Sequence, residues 1–183
     1  MCSRCDPLVS QVQDADPVAF AGNSSLSSRG SMRYWLMKSE PSDVSIDDLA
    51  SFPNQSVDWY GVRNYQARNF MRDQMQVGDG VLFYHSNCDE PGIAGIAEVS
   101  KLAYPDRTQF IAGHKYYDPK ATPDNPRWFN VDVKLVRKTR LLGLKELRET
   151  PELANLRILQ RGNRLSITPV DPRDWETVLD KLK

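Results

Sequence analysis

The feature that most restricts this chain's fold is a missing rhythm. A doubly wound parallel sheet needs strands and helices in regular alternation. Here the apolar runs are short, irregularly spaced and cut by turn formers. No internal repeat is present. The pattern predicts an α/β chain of the α+β type: a curled, mostly antiparallel sheet with short helices around it.

The N-terminal 31 residues differ from the rest. Gly22 to Ser31 is a Ser- and Gly-rich run without periodicity, which predicts a flexible extension or an appended segment. A single domain is expected over 32–183. Arg33 to Lys38 predicts a strand that ends near Ser39, because Pro41 cannot sit inside a ladder. Ser45 with Asp48 three residues on predicts a capping box opening a helix through Ala50, broken by Phe52-Pro53-Asn54. Val57 to Tyr60 is expected to be extended, and Gly61 to turn. Asn64 is then an N-cap for a helix of about three turns carrying Ala67, Phe70, Met71 and Met75. Further strands are expected over Val81 to Ser86, Gly92 to Ser100, Arg127 to Thr139 and Leu165 to Val170, with a short helix over Leu144 to Arg148. Asp171-Pro172 starts a last helix with Trp175, Val178, Leu179 and Leu182 on one face. Tyr104 to Pro126 is too long for a simple turn, and loops of that size are functional or disordered.

The formal net charge is zero, but its distribution is uneven. Arg127 to Arg164 holds ten Lys/Arg against four Asp/Glu, and Lys38 to Pro126 holds eight against thirteen. A basic segment in an otherwise acidic chain can supply a phosphate-facing patch. Three cysteines form no disulfide framework, so a reducing compartment is expected, cytoplasmic or, in a eukaryote, nuclear. No apolar run approaches the ~20 residues that span a bilayer, so no membrane partner is expected.

Asp58 to Met71 concentrates the chemistry. Trp59 and Tyr60 offer faces on which a nucleobase can stack, worth roughly 1–3 kcal/mol per base. Trp59 is favoured as the stacking ring; the competing reading is that it is simply a core residue. Gly61 and Val62 continue this wall. Asn64 can read the mixed donor–acceptor edge of adenine or cytosine, or else cap its helix. Elsewhere Ser39, His85, Ser86 and Asn87 lie at expected strand ends and complete a candidate nucleobase pocket. Arg63, Arg68, Arg161, Asn163 and Arg164 are candidates for phosphate contact. The expected partner is therefore nucleic acid.

Several stretches together resemble the EVE domain. They are Trp35 to Pro41, Trp59 to Met71, Gly78 through Asn87, Gly92 to Val99, Tyr116 to Lys120 and Arg161 to Val170, in order across residues 32–183. The resemblance implies a PUA-like fold, a twisted pseudo-barrel with flanking helices. It also implies a pocket for a modified nucleobase, by likeness to the YTH domains that read methylated adenine in RNA.

Enzymatic chemistry is not expected. His85 and Cys88 are three apart, a spacing that turns them to opposite faces of a strand. The zinc deaminase signature, the P-loop and the dinucleotide fingerprint are absent. Cys2 and Cys5 form a lone C-x-x-C with no second half, so neither metal nor cofactor is expected.

Overall fold

The structure is a computed structural model that describes residues 32–183. The expected low-complexity segment, with Cys2 and Cys5, lies outside the described residues. Among the described residues six strands form one open sheet in the order β2-β5-β4-β3-β1-β6. They are β1 (Tyr34–Ser39), β2 (Ser56–Asp58), β3 (Gly80–His85), β4 (Gly92–Pro105), β5 (Phe129–Gly143) and β6 (Ile167–Val170). Only β1 and β3 run parallel; the other four pairings are antiparallel. That parallel pair is joined by a long crossover holding α1 (Ile46–Ser51), β2 and α2 (Tyr65–Asn69), as parallel neighbours require. α3 (Leu144–Glu149) and α4 (Pro172–Lys181) complete the chain.

The central strands are buried on both faces. On β1, Trp35 and Met37 enter one apolar cluster and Leu36 the other; on β3, Val81 and Phe83 oppose Leu82 and Tyr84 in the same way. The first cluster takes in Leu49 of α1 and Ala67 of α2, and the second takes in Leu147 of α3 and Trp175 and Val178 of α4. Trp175 stacks on Tyr34 with centroids 4.4 Å apart, fastening α4 to the sheet. The β4–β5 pairing slips register at four places, and such bulges bend a long ribbon.

Local chemistry explains the helix ends. Ser45 Oγ accepts from the Asp48 amide at 3.0 Å while the Asp48 carboxylate accepts from the Ser45 amide at 2.8 Å, so the capping box is complete. Asn64 caps α2, and Pro172 occupies the first turn of α4. Asp171 makes no side-chain cap bond there. The expected three-turn helix after Asn64 is one α-helical turn continued by a π-helical turn over Phe70–Gln74. Phe70 and Met71 are buried in this wider turn, as their helical spacing from Ala67 predicts. β4 runs past its expected end into the long loop, to Pro105, while β5 starts at Phe129 and runs past its expected end to Gly143, where it pairs with Gly92 at the start of β4. The loop itself is built on a 3₁₀ turn, Arg107–Phe110, capped by Asp106.

Candidate nucleobase-binding site

A cavity of about 430 Å³ opens at one end of the sheet, where β1 and β3 finish. It falls in the size range of small-ligand pockets. Its first wall is the stretch after β2. β2 pairs with β5, and the Trp59 amide extends that ladder by donating to Val131 at 2.8 Å. The strand direction drives the indole inward, where it meets Phe83 edge to face at 5.5 Å and stays 8% exposed. Trp59 therefore belongs to the core and lines the cavity at once. Tyr60 also lines the cavity but is 46% exposed, its ring edge-on to Tyr116 at 6.1 Å.

Gly61 makes the turn that follows them. Its φ is +82°, and a Cβ there would lie 2.5 Å from the Tyr116 ring, so a side chain is excluded by both backbone and space. The turn is held by Asp106, which is almost wholly buried. One carboxylate oxygen accepts from the Gly61 amide at 3.0 Å and from the Arg63 guanidinium at 2.8 Å. The other accepts from the Thr108 amide and hydroxyl at 2.8 and 2.6 Å. Burial alone would raise the Asp106 pKa, but the bonds from Thr108, Arg63 and Gly61 outweigh it and hold the carboxyl below its ordinary value. Arg63 also donates to Thr108 Oγ1 at 3.0 Å and twice to the Tyr116 carbonyl, at 3.0 and 2.6 Å. One guanidinium thus ties the wall to the loop that carries Tyr116.

The rest of the lining comes from the ends of β1 and β3, the 40–44 turn, and the approach to β6. Ser39 Oγ donates to the Val44 carbonyl at 2.6 Å, folding the turn over the cavity, and Ser86 donates its amide to Ser39 at 2.9 Å. Arg164 and Ser166 face these from the far side, with Lys38 of β1 beside them in the lining. The Lys38 amide bonds the Ser166 carbonyl at 2.8 Å, which joins this side to β1.

The structure brings Ser39, Trp59, Tyr60, Gly61, Val62 and Ser86 together around the cavity, with Arg63 and Arg164 at its sides. The remaining candidates are not in its lining. Asn64 Oδ1 accepts from the Gln66 and Ala67 amides at 2.9 and 3.1 Å, so its acceptor is spent on the cap. His85 Nε2 accepts the Ile46 amide at 3.0 Å, and burial lowers its pKa against a weaker pull from Asp47. Asn87 follows the strand end with φ +53° and donates to Glu40 Oε2 at 3.2 Å. Arg68 donates to the Arg127 carbonyl and to Asn69 Oδ1. Arg161 is exposed, and Asn163 braces its own loop by donating to the Arg157 carbonyl at 2.8 Å and accepting from the Leu165 amide at 3.0 Å.

Sequence reasoning missed Tyr116, with its neighbours His114 and Lys115, and the organising role of Asp106. The signal available for Tyr116 was the long tyrosine-rich loop itself. Asp106 gave none, since a lone aspartate before Arg-Thr reads as surface.

Comparison with known proteins agrees with this architecture. Residues 33–181 match the EVE domain family. Human thymocyte nuclear protein 1 is 46% identical over 164 residues, spanning 80% of this chain and 72% of that protein. The crystal structure of the human protein in complex with 5-methylcytosine-containing DNA superposes with a TM-score of 0.76 at 44% identity, covering 82% of this chain and 98% of that one. A hypothetical protein from Leishmania major gives a TM-score of 0.76 at 48% identity, over 82% and 94% of the two chains. By sequence and by fold, this chain belongs to the EVE domain family.

Proposed function

We propose that residues 32–183 act as one module that binds nucleic acid and holds a modified base, such as 5-methylcytosine, in the cavity beside Trp59. The observation that carries this reading is a preformed cavity of about 430 Å³ walled by Trp59, Tyr60 and Tyr116, whose turn is locked by the ion pair of Arg63 with the buried Asp106. A flipped base costs a few kcal/mol to extrude, and a rigid aromatic wall offsets that without first being ordered. The human relative's complex with 5-methylcytosine DNA supports the same ligand class for this chain. Methyl selection by shape is worth about 1–3 kcal/mol, so a moderate preference is expected.

Binding is preferred to acid–base catalysis in this reading: of the two imidazoles, His114 lines the cavity but its Nδ1 accepts the Tyr116 amide at 3.1 Å, and His85 is engaged elsewhere. The His85 imidazole lies outside the cavity lining and gives its acceptor nitrogen to an α1 amide. Among the described residues no helix is long and apolar enough to cross a membrane. A cytoplasmic or nuclear location is part of this proposal.

The test is fluorescence-anisotropy binding of matched oligonucleotides with a central cytosine, 5-methylcytosine, 5-hydroxymethylcytosine or N6-methyladenine. The expected result is tighter binding of one modified strand, with the preference abolished in Trp59→Ala and in the more exposed Tyr60→Ala. Equal affinity for all four strands would overturn the reading.

A further inference from the structure

From the cavity's edge outward, aromatic rings and guanidinium groups lie side by side. Arg63, at the cavity's edge, sits 5.2 Å from the Tyr116 ring and 5.4 Å from the Trp128 ring. Trp128 stacks in turn on Tyr65 with centroids 4.9 Å apart and planes inclined by 27°. Arg68 lies 4.7 Å from the Tyr65 ring, and Arg127 donates to the Tyr65 hydroxyl. Arg72, one turn further on, lies 5.8 Å from Phe129. Tyr65 is 48% exposed although it is a large aromatic with an ordered partner.

The charges along this row do not cancel. Four guanidinium groups face three carboxylates: Asp106 is buried under Arg63, Asp118 pairs with Arg127, and Asp73 pairs with Arg72. Arg68 is left over, and its bonds go to neutral oxygens of Arg127 and Asn69. Burial and then the like charge of Arg72 push its pKa below the ordinary arginine value, a crowding that an incoming anion relieves.

An exposed ring backed by a buried one and set among cations suits a single nucleic-acid strand: a base can stack at Tyr65, which rests on the buried Trp128, and phosphates meet the guanidinium groups. We infer that the strand flanking the extruded base leaves the cavity past Arg63 and runs over Tyr65, Arg68 and Arg72, on one side of the base only. This rests on the nucleobase-binding reading above and adds a path, a stacking residue and a polarity to it.

The experiment uses the full chain and single strands carrying 5-methylcytosine: a trinucleotide, and nonanucleotides extended from it on either the 5′ or the 3′ side. One extension is expected to tighten binding and the other to leave it near the trinucleotide value. Arg68→Ala with Arg72→Ala removes that gain and lowers the slope of log affinity against log salt by about 0.7 per lost phosphate contact. Tyr65→Ala weakens the favoured nonanucleotide by about tenfold, one stacked base, while Tyr65→Phe retains it. The inference is overturned if no extension helps, or if the variants keep the wild-type gain and slope. It is also overturned if the variants weaken the trinucleotide as much as the nonanucleotide. A wild-type protein that shows the gain, and its loss in the variants, yet binds cytosine and 5-methylcytosine alike would sink the modified-base reading and leave the strand path standing.

Discussion

On one side of the cavity the turn from Trp59 to Arg63 is fastened by a buried carboxylate, a guanidinium bonded to two loops, and a glycine under a tyrosine ring. On the other side, the loop from Arg161 to Arg164 is exposed and braced mainly by Asn163. The first side resembles a protein interior; the second is a tethered pair of cations. The difference suits two tasks. Under the proposed function, stacking and shape selection need a surface that does not reorganise on binding, whereas a phosphate, attracted over several ångströms, tolerates an exposed partner.

The contrast is broken most severely at Asp106. Asp106→Ala leaves the Arg63 guanidinium and the Gly61 amide without their carboxylate, and a cost of about 3 kcal/mol in urea unfolding is expected. The pH dependence follows from the lowered carboxyl pKa. Because the folded-state value lies below the unfolded one, the stabilisation is fully present above about pH 4 and is lost as pH falls through the folded value. The stability gap between wild type and Asp106→Asn should therefore narrow on acidification below pH 4; a gap constant from pH 7 to 2 would refute the assignment.

Gly61→Ala is a smaller break at the same wall. A methyl group at φ +82° against the Tyr116 ring must displace the ring, costing about 2 kcal/mol. Thermal unfolding checks the stability, and loss of preference between modified and plain strands checks the wall. The smallest effect belongs to the far side. Arg164→Ala should change stability by less than about 0.5 kcal/mol. It should also flatten the salt dependence of binding by about one phosphate contact while leaving the preference for a modified base intact. If Arg164→Ala were as damaging to folding as Asp106→Ala, the contrast between the two sides would be false.

The parts of the fold readable in the sequence are those governed by neighbours along the chain. The Ser45–Asp48 box, the Asn64 cap, Pro172 in the first turn of α4 and the strand positions all follow from interactions spanning a few residues. Asn64 shows the limit of such reading. Its residue type suits both a base edge and a helix cap, and the tertiary arrangement commits its oxygen to two amides of α2. His85 is similar: alternation fixes its face, and only the packing of α1 against β3 gives its imidazole a partner.

What the sequence determined alone was the class of fold, the stretch that carries the first wall, and the residue types able to stack on a base and attract phosphate. Local sterics, capping and period-two alternation are enough for that. Tertiary structure decided how the wall is closed. Asp106 and Tyr116 reach Gly61 and Arg63 from 45 and 53 residues away, in a loop whose sequence does not say what it packs against. A buried carboxylate is stable only where several donors converge, and that convergence exists only once the chain has folded.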